Sequence, residues 1–219
     1  MKRTVKRFSA FAGLACCCIT MNAFAAEAGQ TLEHALAGIA QQFDQLSFST
    51  PNKRSRRAGF EDLVEAASEL VSANPMSAEA LTWQGIVLST YAGEVSAFSS
   101  MKYANAALES LRKAESIDAA ALHGSVYTSL GALYSRVPGG FIGFGDDDLA
   151  LEYLNRALEI SPNDLDANYF LAGLLLDQKK DDEARQVLHH ALSVPEVTDR
   201  PLLDSARRSE MQAMLDELE

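Results

Sequence analysis

The sequence predicts an all-α chain in which helical hairpins stack into a solenoid, with N-terminal helices ahead of the stack and a C-terminal capping helix behind it. Three observations predict this. Apolar residues recur three and four apart along most of the chain, the spacing of one helix face. No stretch sustains the alternation of a half-buried strand. Small residues also return at a fixed offset of 34: Ala150, Leu154 and Ala157 reappear as Ala184, Leu188 and Ala191. A fixed period of that length marks a repeat architecture.

The first 25 residues read as an address. Lys2, Arg3, Lys6 and Arg7 form a basic start, Phe8 to Met21 is apolar or small, and Ala23-Phe24-Ala25 supplies a small-x-small cleavage pattern. This is the layout of a secretory signal, expected to be cut after Ala25. A membrane anchor would need about 20 unbroken apolar residues, and Asn22 interrupts the run. The alternative is a lipid anchor through Cys16 or Cys17, in a near-lipobox Leu14-Ala15-Cys16-Cys17. The expected location is periplasmic or otherwise exported, with no transmembrane segment in the mature chain.

Charge and cysteine usage narrow the function classes. The three cysteines all lie in the leader, so the mature chain has no disulfide, thiolate metal site or cysteine nucleophile. Without the leader, Lys plus Arg falls from 19 to 15 against 30 acids, a net charge of −15. Such a surface repels phosphate backbones, so no nucleic acid is expected as a partner. About 190 residues remain, enough for one domain with a substantial core.

After the leader, Leu32, Leu36, Ile39, Phe43 and Leu46 form one apolar face of a helix over 31–46. A polar break over 47–59 follows, holding Pro51 and the basic residues Lys53, Arg54, Arg56 and Arg57. It reads as a solvated linker, a dock for the protein's own acidic face or a partner-binding arm. A second helix is expected over 60–73, stopped at Asn74-Pro75.

The repeats come next. Tyr127-x-x-Leu130-Gly131-x-x-Tyr134 matches Asn168-x-x-Leu171-Ala172-x-x-Leu175, and Leu81-x-x-Gln84-Gly85-x-x-Leu88 precedes Ala107, Leu111 and Ala114 as an earlier copy. Small residues let the two helices of a hairpin approach closely, and Pro162 ends the second helix. Between the last position of the first helix and the first alanine of the second, the copy ending at Ala184 takes 9 residues. The middle copy takes 16 and the first 19. Both enlargements fall at one edge of the stack, where repeat proteins often carry binding loops. Pro201 fits the first turn of a final helix.

These residues resemble the tetratricopeptide-repeat (TPR) family over 75–198, with Tyr127 at the family's tryptophan position. The resemblance implies a TPR-type helical-hairpin solenoid. Its divisions would be a half repeat over 60–77, repeats over 78–121, 122–164 and 165–198, and a cap over 199–219. N-terminal helix and basic linker would occupy 26–59. A narrower likeness, through Val137-Pro138-Gly139-Gly140 and Gly145-Asp146-Asp147-Asp148, is to the T-component of tripartite periplasmic transporters. Both likenesses imply binding rather than catalysis, and neither implies a cofactor.

The family pattern nominates inner-surface positions on the first helix of each hairpin, among them Thr82, Thr128, Arg136, Asp166, Tyr169 and Asp177. Phe141 and Phe144 are nominated from the glycine-rich segment 137–148. That segment is either a structural loop whose aspartates cap the next helix or a partner-binding loop. It lacks the alternating ligand spacing of a calcium loop and the Gly-Lys-Ser/Thr of a phosphate loop. His189 and His190 are adjacent and point to different sides of a helix, while His34 and His123 have no companion at ligand spacing. No catalytic or metal residue is nominated. The expectation is a scaffold for a protein or peptide partner in the cell envelope, in a transport or membrane-associated complex. The alternative is a small-ligand-binding accessory of a periplasmic uptake system.

Overall fold

The computed structural model describes residues 16–218, with side chains from residue 31 onward. The expected leader and the lipid-anchor alternative at Cys16 or Cys17 therefore lie outside the described residues, apart from backbone. The chain divides into two compact units, Met1–Ala35 and Leu36–Glu219. The described part of the first is helical. Among the described residues no helix is long and apolar enough to cross a membrane.

The described residues form nine α-helices and no strand. In order they are α1 (Cys16–Ser49), α2 (Lys53–Ala73), α3 (Ala78–Glu94), α4 (Ala97–Asp118), α5 (Ala121–Arg136), α6 (Asp147–Ile160), α7 (Leu165–Asp177), α8 (Asp181–Ser193) and α9 (Pro201–Asp216). Side-chain caps set several starts. Asn52 accepts from Ser55 N, Ser77 from Ala80 N and Asp164 from Ala167 N, each satisfying a backbone donor that the helix leaves unpaired. Pro201 stands in the first turn of α9, where its missing N–H costs nothing.

Helices α3/α4, α5/α6 and α7/α8 are the hairpins; α3, α5, α7 and α9 pack in succession along the inner side. The all-α repeat fold is the one the 34-residue offset predicts. Ala107, Ala150 and Ala184 are each 0% exposed, as are Leu111, Leu154 and Leu188 four residues on, so equivalent positions have equivalent surroundings. The need for a small residue opposite them is geometric. A Cβ at Gly131 would stand 2.6 Å from Leu154 Cγ and 3.1 Å from the Ala150 carbonyl oxygen. Gly85 faces Leu111 in the same way, with a Cβ 2.5 Å from its Cγ.

Three expectations are corrected. The segment 47–59 is not a linker through its length, because the Asn52 cap starts α2 at Lys53 and places the basic residues in its first turns. Arg56 there pairs with Glu94 at 2.8 Å, so one basic residue docks on the protein's own acid.

The enlarged turn expected in the first copy, between Leu88 and Ala107, is not a loop either. Its extra residues lengthen α3 and α4, which a two-residue turn, Val95-Ser96, joins. Only the middle hairpin spends its insertion on a loop, 137–146.

Finally, the junction near 121–122 is not a simple boundary. Leu122, His123 and Gly124 take left-handed φ values of 50°, 57° and 88° before α5 becomes regular. Where the next copy has Pro162 to turn the chain, this copy has Ala119, and the left-handed run makes the turn instead. It costs Leu122 and His123 about 1–2 kcal/mol each. The Ser161 hydroxyl, donating to the His123 carbonyl at 2.8 Å, helps to hold it.

Candidate partner-binding site

Beyond Ala35, α1 crosses the inner side of the stack. Its expected apolar stripe packs on the first helices: Phe43 meets the Phe60 and Trp83 rings edge-on at 5.8 Å each, and Ile39 is buried beside them. A second flank, unforeseen, faces the last helices. Asp44 accepts two hydrogen bonds from Arg200, at 3.0 and 2.5 Å, and Phe48 lies under the Arg207 guanidinium at 5.3 Å.

The nominated residues separate into three groups. Thr82 and Thr128 are buried in the packing, a correction to their nomination as contact residues. A short hydroxyl tolerates burial by bonding its own helix, as Thr82 does to the Ala78 carbonyl at 2.6 Å. Asp166 is taken by Arg207 at 2.5 Å.

Arg136, Tyr169 and Asp177 converge. With Ser135, Phe170 and Met214 they line a cleft of about 100 Å³ where α5, α7 and α9 meet. Gly173 forms part of its wall and faces open space. The Arg136 guanidinium makes no ion pair among the described residues; it lies 4.7 Å above the Phe170 ring, its N–H groups left to solvent.

The loop 137–146 begins where this cleft ends. It is clamped at its base: Asp146 N donates to the Tyr134 carbonyl and Gly145 N to the Pro138 carbonyl, both at 3.1 Å. Phe144 folds back edge-on against Tyr134 at 5.7 Å, so it is an anchor rather than a contact. Asp146 caps α6 through its side chain. Phe141 and Ile142 at the tip are left 112% and 74% exposed. Together they form a small exposed apolar pair at the loop tip.

A larger hollow of about 460 Å³ lies at the α8–α9 connection, beside Val197, Asp204 and Arg208. Asp204 and Arg208 in its wall are already used on one another and on nearby backbone. Asp204 accepts from Val197 N and from Arg208, and Arg208 also donates to the Leu192, Val194 and Pro195 carbonyls. Burial pushes the Asp204 carboxyl up, but the Val197 amide and Arg208 outweigh it and hold it below the usual range. This is a fastening for α9.

The Asp164 carboxyl at the start of α7 behaves oppositely. Burial, then the neighbouring Asp166, push it up to about 6, against the pull of the Ala167 amide, Arg200 and Arg207.

The tetratricopeptide-repeat family model matches residues 142–194, from the tip of the loop through α8. A thermophilic TPR protein of Thermus thermophilus superposes with a TM-score of 0.56 at 16% identity, covering 84% of this chain and 98% of that one. The fold is the tetratricopeptide repeat. MamA is similar at 17% identity over 84% of this chain and 90% of its own, with a TM-score of 0.46. YrrB, a TPR protein with an unusual peptide-binding site, is 19% identical over 75% of this chain and 78% of its own, at 0.42. No curated protein matches the sequence. In TPR terms the inner helices are α3, α5 and α7, and the cleft lies at the turn edge of the last two.

Proposed function

We propose that this TPR chain is a binding scaffold that holds a protein or peptide partner at the turn edge of its last repeats, in the cell envelope after export. The observation that carries this is the convergence of the Arg136 guanidinium, an aromatic floor and the Asp177 carboxylate in one cleft. Arg136 offers planar donors to a carboxylate or carbonyl. Phe170 and Tyr169 take an apolar side chain, Met214 adapts to its shape, and about 100 Å³ suits one such side chain. Phe141 and Ile142 extend the apolar contact beyond the cleft. Export is supported by the basic start, apolar run and Ala-x-Ala of residues 1–25.

The test is capture from envelope extract by the tagged full chain. A Cβ at Gly173 would meet nothing within 4 Å, so Gly173→Gln adds a side chain on the cleft side of α7 and improves helix propensity. Arg136→Glu reverses the charge that the cleft presents. Each is expected to retain the wild-type partner at least about tenfold less, at unchanged stability. Equal retention by both variants would remove the cleft from consideration.

A further inference from the structure

We infer that the turn edge of the stack is a self-complementary surface on which a second copy of this chain seats, antiparallel about a two-fold axis. The inference does not rest on the cleft; it concerns the rim outside it.

The edge is laid out in order along the stack. Arg56 pairs with Glu94 at 2.8 Å, so the start of α2 stands beside the α3–α4 turn. The α5–α6 loop comes next, because Gly143 lies against α4: a Cβ there would stand 3.1 Å from Met101 Cε. The α7–α8 turn is last, as α7 packs on α5. Phe141, Phe98 and Ile142, the three most exposed large apolar side chains among the described residues, sit in the middle of this row. Phe98 is one turn ahead of Met101 on α4, and Ile142 adjoins Gly143, so the loop tip and the start of α4 are neighbours. Exposed apolar residues scattered singly need no explanation, whereas these are gathered on one rim.

Charge divides the same row in two. Over 50–57 and 94–102, Lys53, Arg54, Arg56, Arg57 and Lys102 stand against Glu94, a net charge of +4. Over 135–148 and 177–183, Arg136, Lys179 and Lys180 stand against seven acids, a net charge of −4. The acids at the starts of α6 and α8 suit the helix dipole. The cations at the start of α2 oppose it. That first turn holds no acid, and Lys53, Arg54 and Arg57 are exposed. A cationic patch set against its own helix dipole is matched by an anionic surface from outside the chain.

A second copy supplies that surface. With the two-fold axis between the α3–α4 turn and the α5–α6 loop, the −4 half of each chain faces the +4 half of the other. Phe98 of each chain then meets Phe141 and Ile142 of the other. A two-fold contact uses one patch twice, so a row that reads basic, apolar, acidic matches itself only when reversed. A parallel arrangement would set like charge on like. The apolar middle is the part that loses water, and the charged ends fix the register.

The test is the weight-average mass of the full chain by sedimentation equilibrium over a range of concentrations. Wild type is expected to approach the mass of two chains, and to return toward one as added salt screens the ends. Phe98→Ser with Phe141→Ser, both at exposed positions, should weaken association at least about tenfold. A charge swap reads the orientation. One variant carries Lys53→Glu, Arg54→Glu and Arg57→Glu; a second carries Asp147→Lys, Asp148→Lys and Glu183→Lys. Each alone is expected to remain a single chain, and an equal mixture to recover the mass of two, because the two edges are then of uniform and opposite sign.

Wild type that stays a single chain at every concentration would overturn the inference, as would a mixture that does not recover the pair. A mass that grows past two chains would do the same, since that is what a head-to-tail contact gives. A single chain that floats with phosphatidylglycerol vesicles, and no longer does so after Phe98→Ser and Phe141→Ser, would overturn it in favour of a lipid surface. Gly173→Gln, inside the cleft, should leave the mass unchanged. Failure of the cleft reading and failure of the pairing are thus read in separate measurements.

Discussion

Leu154→Ala is expected to lower the unfolding free energy by about 4 kcal/mol, the upper part of the range for a fully buried leucine. Leu154 is 0% exposed and sits directly over Gly131, where the two helices of the middle repeat come closest. The helices on either side are fixed by Ala150 and Ala157, both almost wholly buried, so they cannot collapse into the vacated space. Gly131→Ala attacks the same seam from the other side. Its methyl would stand 2.6 Å from Leu154 Cγ, and the overlap outweighs the gain in helix propensity, for a net loss of about 2 kcal/mol.

Because the two changes share one contact, they should not add. In the double variant the new methyl occupies space that the leucine has left, and the Ala150 oxygen at 3.1 Å remains a tight contact. Its loss should fall short of the sum by about 2 kcal/mol, as urea denaturation of the four proteins would measure. Additivity within about 0.5 kcal/mol would mean that the two residues are not seated on each other.

Arg207→Met is expected to cost about 3 kcal/mol at pH 7.5, through the loss of a largely buried ion pair. The guanidinium bonds Asp166 at 2.5 Å and Glu210 at 2.7 Å, and stacks over Tyr169 at 4.3 Å and Phe48 at 5.3 Å. Methionine keeps much of the volume and none of the charge. Asp164 and Asp166 would then face each other with less compensation.

The pH dependence follows from Asp164, whose carboxyl is raised to about 6 from an ordinary value of 3.8. Between those values the folded chain holds a proton that the unfolded chain has released. This group's contribution is therefore full below 3.8 and lost as pH rises through about 6. Without Arg207 the folded value rises further, and the penalty at neutral pH grows. The cost of Arg207→Met should accordingly be smaller by about 1 kcal/mol at pH 4.5 than at pH 7.5. An equal cost at both would show that Arg207 does not act on Asp164.

How far the sequence reaches is clearest in the two enlarged turns. Both insertions were visible as lengths, but length does not say whether a helix grows or a loop forms. The residues do. Segment 137–146 holds Pro138 and four glycines, whereas 95–106 holds neither residue type and is helical from Ala97. The repeat itself was legible because it depends on local spacing, and Ala150 and Ala184 carry it in the sequence as they do in the fold.

Burial along one inner surface was not legible. Thr82 and Arg136 both satisfy the family pattern, yet only the latter stands at a helix end, where the neighbouring helix leaves space. The inner flank of α1 was hidden for a different reason. Asp44 and Arg200 are 156 residues apart, and neither is unusual until the fold brings them together.

Hydrogen–deuterium exchange on the full chain, with and without the partner recovered by wild-type capture, tests most directly where this scaffold binds. Protection should concentrate in peptides covering 135–142 and 169–177, the two walls of the turn-edge cleft and the tip of its loop. Protection confined to α4, α6 and α8, with those peptides unchanged, would place the partner on the outer helices and contradict the assignment.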